Sequence, residues 1–395
     1  MARNPVHPPT QERKSRGEKP PALEIDGRDA PLKAEVVTAA ADDPLTQLIR
    51  QSLHEGATDV HLRAGSPPRI RINGDLLMVK GLIPSSEMMR RFFEKMLTTD
   101  QLKHFERIKE LDFSHDLQAV CRMRVNLYQE RGAFCASLRI IPRHIPSMEE
   151  IFLPPACERL TQLDRGLVLV TGPTGSGKST TLAAMINHIN ATRKCHILTI
   201  EDPIEFHHED KRGLLSQREL DHDTRTFAAA LRHSFRQDPD VVLIGEMRDL
   251  ETMQTVITLA ETGHLTFSTL HTGDAAQTVS RIIDAFPPHQ QAQVRLQLAA
   301  SLAAVISQKL LPRKDGKGRI AAREIMICNR AVRNLIRENK LNQIASAIQT
   351  GADEGMITMA AALADLVRRG LLDLEVARRH CDDQRELMAK LQGGG

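Results

Sequence analysis

From Gly166 the chain runs through an unalternating apolar segment, Gly166-Leu-Val-Leu-Val-Thr171, into a glycine-rich turn and then a helical segment. The turn reads Gly172-Pro173-Thr174-Gly175-Ser176-Gly177-Lys178-Ser179-Thr180 and fits the phosphate-loop pattern at every fixed position. That order commits the region to strand, loop and helix. Glycines let successive backbone N–H groups turn inward around phosphate oxygens, and the following helix aims its positive end at the same anion. Lys178 is placed to neutralise the β- and γ-phosphates, and the Ser179 hydroxyl to ligate Mg²⁺. The loop alone implies a nucleotide and leaves open what its energy is used for.

Three further apolar runs share this character: His196-Ile-Leu-Thr-Ile, Val241-Val-Leu-Ile and Leu265-Thr-Phe-Ser-Thr-Leu. Short runs of this kind, separated by helical segments, read as strands buried on both faces of a parallel sheet. The expected class is therefore α/β. After Pro287 the pattern reads as helical over Ala292 to Leu310, Arg330 to Glu338, Asn342 to Thr350 and Thr358 to Arg369.

Ahead of the loop lies a different pattern. Residues 1–42 are rich in Pro, Lys, Arg and Glu without apolar periodicity, and read as a disordered basic extension. Leu45, Leu48, Ile49 and Leu53 recur at helical spacing. Strands follow at Asp59-Val-His-Leu and Arg69-Ile-Arg-Ile, the second ending in an Asn73-Gly74 turn. A helix from Ser86 to about Phe105 and strands near Asp112, Arg122 to Tyr128 and Phe134 to Ile141 complete an α+β domain over 43–143. Prolines punctuate a linker over 144–158, and 159–395 is the sheet domain with its helical additions.

Composition narrows the class. With aromatics at 3% and no Trp, burial rests on aliphatic side chains. A net charge of +3 gives no support to a nucleic-acid-coating protein. Six cysteines without a C-x-x-C pair suggest neither zinc nor a disulfide framework. The first residues lack a secretory h-region, and no apolar run reaches about 18 residues. A cytoplasmic protein is expected, meeting membrane only indirectly.

Carboxylates and histidines gather at the ends of the apolar runs. Val241-Val-Leu-Ile-Gly245-Glu246 delivers Glu246 where a carboxylate stands beside Mg²⁺, with Gly245 in place of the usual Asp. Thr199-Ile-Glu201-Asp202-Pro203-Ile-Glu205 puts three carboxylates at another strand end, where ligands bind in doubly wound sheets. Glu201 or Glu205 could orient the attacking water, and sequence does not choose between them. His264 and His271 bracket the last run, and a histidine at the far end could hydrogen-bond the γ-phosphate.

In combination, GPTGSGKST, TIEDPIEF, DPDVVLIGEMRDLET and AETGHLTFSTLHT resemble the secretion ATPase superfamily that drives type II secretion and type IV pili. The resemblance implies a RecA-like P-loop ATPase domain preceded by a smaller PAS-like domain, with ATP and Mg²⁺ as cofactors. It implies Glu205 as catalytic carboxylate, Glu246 as organiser of Mg²⁺ and water, and His264 with His271 as the histidine box. Arg122-Met-Arg124-Val-Asn and Arg139-Ile-Ile-Pro are similar to amino-terminal strands of that family, which implies Arg124 and Arg139 as arginine fingers at the γ-phosphate.

Ala331-Val-Arg333-Asn334-Leu335-Ile336-Arg337-Glu338 differs by one conservative change from the signature of PilT-like retraction ATPases. On a helix it would pack Leu335 and Ile336 inward and leave Arg333, Arg337 and Glu338 outside. The absence of a large extra amino-terminal domain and of a four-cysteine zinc insert agrees with that branch. The resemblance implies a homohexamer at the cytoplasmic side of the inner membrane and a pilus platform protein as partner, and it leaves open whether a paralogous pilus ATPase must cooperate. Rival readings are an assembly or secretion motor, a RecA-like nucleic-acid translocase, and a nucleotide-binding subunit without turnover.

Overall fold

A computed structural model describes residues 24–25, 43–117, 120–141, 143–220 and 222–392. The expected extension over 1–42 lies outside these, apart from Glu24–Ile25. The chain divides into two compact units, residues 1–115 with 125–140 and residues 116–124 with 141–395.

In the first unit, helix α1 (Pro44–His54) starts where Asp43 accepts hydrogen bonds from the backbone N–H groups of Leu45 (3.0 Å) and Thr46 (3.2 Å). Its buried stripe is Leu45, Leu48 and Ile49. One seven-stranded sheet holds strands β1 (Glu24–Ile25), β2 (Asp59–Arg63), β3 (Arg69–Ile72), β4 (Asp75–Lys80), β5 (Glu110–Leu117), β6 (Cys121–Glu130) and β7 (Ala133–Ile141). Their spatial order is β1-β4-β3-β2-β7-β6-β5. Strand β1 falls inside the stretch expected to be structureless. It pairs antiparallel with β4, Glu24 opposite Lys80, which satisfies backbone groups at that edge. The single helix expected from Ser86 to Phe105 is two, α2 (Ser86–Glu94) and α3 (Thr99–Ile108). Thr98 and Gln101 form a capping box that starts the second, a local signal stronger than the continuing periodicity.

The second unit is built on strands β8 (Gly166–Thr171), β9 (His196–Glu201), β10 (Leu214–Glu219), β11 (Val241–Ile244), β12 (Leu265–Leu270), β13 (Leu302–Pro312) and β14 (Arg319–Ile327). Their order is β10-β9-β11-β12-β8-β13-β14, parallel throughout except that β14 runs antiparallel to β13. Leu167 and Leu169 of β8 face one core cluster while Val168 and Val170 face the other, which is why the run does not alternate. Helices α4 (Pro155–Thr161) and α5 (Lys178–Thr192) cover the second face. The first is covered by α6 (Phe227–Ser234), α7 (Leu250–Glu261), α8 (Ala275–Asp284), α9 (Pro288–Ser301), α10 (Arg330–Arg337) and α11 (Ile344–Thr350). Helices α12 (Met359–Arg368), α13 (Leu374–His380) and α14 (Gln384–Gln392) enclose a third cluster against Leu311, Ile320 and Ala322 at the tips of β13 and β14.

The helix expected over Ala292 to Leu310 is a correction: α9 ends at Ser301 and the chain turns directly into β13. A continuous apolar run reads equally as buried helix or buried strand, and pairing with β8 decides it. Strand β14 went unread because Arg323 and Glu324 break its apolar pattern, and only antiparallel pairing with β13 defines it. The stretch 144–158 carries Met148, Ala156 and Cys157 into the second-face cluster, and Arg323 of β14 donates to the Ile151 carbonyl at 2.9 Å. No described helix is long and apolar enough to cross a membrane.

Candidate nucleotide-binding site

The turn from β8 to α5 takes the conformation its glycines permit. Gly172, Gly175 and Gly177 have φ of +144°, +78° and +87°. At Gly172 a Cβ would fall 2.3 Å from the Gln308 carbonyl oxygen, so no other residue fits there. Lys178 opens α5 and folds its ammonium back across the loop, donating to the carbonyls of Gly172 (2.9 Å) and Pro173 (3.2 Å). Burial pulls the Lys178 pKa below its ordinary value, and the negative charges of Glu246 and Glu205 oppose that.

Strand ends supply the acids. Glu246 follows β11; one carboxylate oxygen accepts from Arg248 Nε at 2.8 Å and the other lies 3.1 Å from His271 Nε2. Arg248 reaches on to Asp202 at 2.9 Å. His271, at the end of β12, has Nδ1 3.4 Å from the Lys178 ammonium. Lys178, His271, Glu246, Arg248 and Asp202 thus form one contiguous polar group at the carboxyl ends of adjacent parallel strands, where open α/β sheets place their ligands.

Glu201 takes a different position from Glu205. It accepts from Thr199 Oγ1 at 2.8 Å and more distantly from Gln217 Nε2 at 3.4 Å, and it lines a cavity with Ser179, Leu182, Phe206, Gly245 and Thr269. Burial raises its pKa to about 7, against the hydrogen bonds that hold it down. Glu205 is the one of the pair whose charge is felt at Lys178. The Asp202–Pro203 peptide between them is cis.

Other expected site residues are not gathered here. His264 stands before β12, at its opposite end from His271; six extended residues separate them, about 20 Å. Its Nδ1 lies 3.0 Å from the Leu259 carbonyl and its ring meets Phe235 edge-on, a local structural role. Arg124 is exposed on β6, and Arg139 on β7 is paired with Asp59 at 3.1 Å. In α10, Ile336 is buried, Leu335 is half-buried, and Asn334, Arg337 and Glu338 are exposed. Arg333 departs from its expected outward position. It donates to the carbonyls of Ala299 and Ala300 at 2.7 Å and of Cys328 at 2.9 Å, closing the end of α9.

Sequence reasoning passed over Arg248, Gln217 and Gln308. Arg248 lies two residues beyond Glu246, so its proximity was a usable signal; Gln217 and Gln308 come from strands that only folding brings alongside.

The profile of the type II/IV secretion system protein family matches residues 38–377. The chain is 49% identical over 334 residues to a type IV pilus retraction ATPase, PilT, of Pseudomonas aeruginosa, covering 85% of this chain and 97% of that protein. It is 50% identical over 320 residues to a twitching motility protein of Neisseria gonorrhoeae, covering 81% and 86% respectively. A crystal structure of the pilus retraction motor PilT with bound ADP aligns with a TM-score of 0.79 at 43% identity, over 87% of this chain and 99% of that one.

Proposed function

The chain belongs to the type II/IV secretion system protein family, and from that premise we propose that it hydrolyses ATP to power retraction of a type IV pilus. The observation that carries the reading is the group Lys178, His271 and Glu246 at the phosphate loop, in a chain about half identical to a pilus retraction ATPase and a twitching motility protein over most of its length.

In this reading the loop from Gly172 to Thr180 cradles the phosphates, and Lys178 exchanges its loop carbonyls for β- and γ-phosphate oxygens. Glu205, on the Lys178 side of the acidic turn, orients the attacking water and takes its proton. His271, beside Glu246 and Lys178, lies where the γ-phosphate would sit and ties its presence to β12. Glu201 supports the turn from behind. The Ser179 hydroxyl and the Glu246 carboxylate are the hard oxygen donors that Mg²⁺ prefers. Both Glu246 oxygens already have partners, so it would hold the ion through water. When bound, Mg²⁺ offsets charge on the phosphates.

The second unit is then the RecA-like motor domain and the first its PAS-like companion. By family likeness the chain assembles as a homohexamer, with Arg124 and Arg139 as arginine fingers, Arg139 parting from Asp59 to serve. The ring would act on an inner-membrane platform protein from the cytoplasmic side, alongside a paralogous ATPase, and touch no nucleic acid. The exposed Asn334, Arg337 and Glu338 are the face of α10 offered to that machinery.

Steady-state turnover tests the chemistry. Lys178→Ala and Glu246→Gln should each lower the rate at least about 100-fold, the scale of losing one preorganised charge partner; near-normal turnover in either overturns the reading. Deleting the gene tests the direction of work. Cells should keep surface pili and lose twitching, whereas loss of pili would indicate assembly instead.

A further inference from the structure

We infer that Gln308 is a positioning residue for the phosphate loop, a brace reaching across from β13 that holds the loop in its anion-binding shape. The inference rests on the nucleotide-binding reading above and adds to it a residue outside every motif of the site.

Strand β13 lies beside β8 with Ser307 opposite Thr171, and their hydroxyls hydrogen-bond at 2.9 Å. The next residue therefore lies directly under the loop. Gln308 is 1% exposed and uses both ends of its amide. Its Nε2 donates to the Ser176 carbonyl at 2.7 Å, and its Oε1 accepts from Thr181 Oγ1, in the first turn of α5, at 2.9 Å. A carbonyl can only accept, so the amide orientation is determined.

The two loop glycines that bracket this contact lean on the same residue. A Cβ at Gly172 would strike the Gln308 carbonyl oxygen, and one at Gly177 would sit 3.3 Å from its Nε2. Backbone and side chain of residue 308 thus limit the loop at both ends. Directing the Ser176 carbonyl downward onto Gln308 keeps it out of the phosphate cradle. There a carbonyl oxygen would repel the anion that the loop N–H groups attract. Opposite Gln308 in the neighbouring strand, Arg323 of β14 is also buried.

The test uses the full-length protein. Binding of MgADP, followed with a fluorescent analogue, and steady-state KM and kcat are measured for wild type, Gln308→Met, Gln308→Glu and Thr181→Val. Gln308→Met keeps the volume and removes both hydrogen bonds. Gln308→Glu keeps the acceptor for Thr181 but sets an oxygen against the Ser176 carbonyl. Thr181→Val removes one anchor. Gln308→Met should weaken MgADP about tenfold, the consequence of one buried loop hydrogen bond lost, and raise KM more than it lowers kcat. Gln308→Glu should be weaker still. Thr181→Val should lose about threefold and add nothing in combination with Gln308→Met.

Leu363→Ala, a buried site in the third cluster, serves as the destabilised control. It should lower the melting temperature while leaving affinity unchanged. Wild-type affinity in Gln308→Met and Gln308→Glu overturns the inference. If those two fail to fold, wild-type affinity in Thr181→Val overturns it. If wild type itself binds no MgADP, the nucleotide reading fails, a distinguishable result.

Discussion

Glu201 and Glu205 stand four positions apart in one turn, and their surroundings separate their properties. Residue spacing left them interchangeable, because it says nothing about which carboxylate lines the cavity beside α5 and which carries its charge near Lys178. With its pKa at about 7, against an ordinary value of 4.5, Glu201 binds its proton more tightly folded than unfolded. Its contribution to stability is therefore complete below about pH 4.5 and is lost as pH rises through about 7. Glu201→Gln cannot ionise. Between pH 5.5 and 8 the wild-type melting temperature should fall by roughly 2–5 °C more than that of Glu201→Gln, measured by thermal denaturation in matched buffers. Parallel pH curves would contradict the assignment. The phosphate loop was legible because its chemistry is local, each glycine and Lys178 acting through its own backbone. His264 entered the site only through the family resemblance, and within this chain it stands at the end of β12 away from the loop.

Elements show a similar division. Strands β8, β9, β11 and β12 were readable as unalternating runs, and α1 from its stripe. Strand β13 was not, since Leu302 to Leu311 is apolar enough to be helix or strand and only the neighbouring edge of β8 selects between them. The split between α2 and α3 was present in the sequence as Thr98 and Gln101, a capping signal that periodicity masked. Helix α10 illustrates a misread side chain on a correctly placed element. Arg333 spends its guanidinium on the end carbonyls of α9, so Arg333→Met should destabilise the second unit by about 2 kcal/mol by leaving those carbonyls unpaired. Chemical denaturation measures this. A change below about 0.5 kcal/mol, the level of an ordinary surface substitution, would refute the capping role. Arg337→Met, on the exposed face, should sit at that lower level.

Taken whole, the molecule consists of two units with their own sheets and apolar interiors. Among the described residues, the second draws three apolar clusters from residues beyond 147, from Met148 to Leu387. A fragment spanning residues 144–395 should therefore fold alone. Its far-UV circular dichroism should report the α/β content and its thermal melt should be cooperative; a featureless melt would show that the clusters depend on residues outside it. By itself the sequence determined the class of the second unit, the phosphate loop and the identities of the acids and histidines at the strand ends. It did so because turn chemistry, strand burial and family motifs are written in consecutive residues. Only the tertiary structure decided that His271, Glu246 and Lys178 meet while His264 does not, that Arg333 caps a helix, and that Gln308 supports the loop. Those contacts join residues tens to more than a hundred positions apart. Their partners are chosen by strand order and register, which no local pattern encodes.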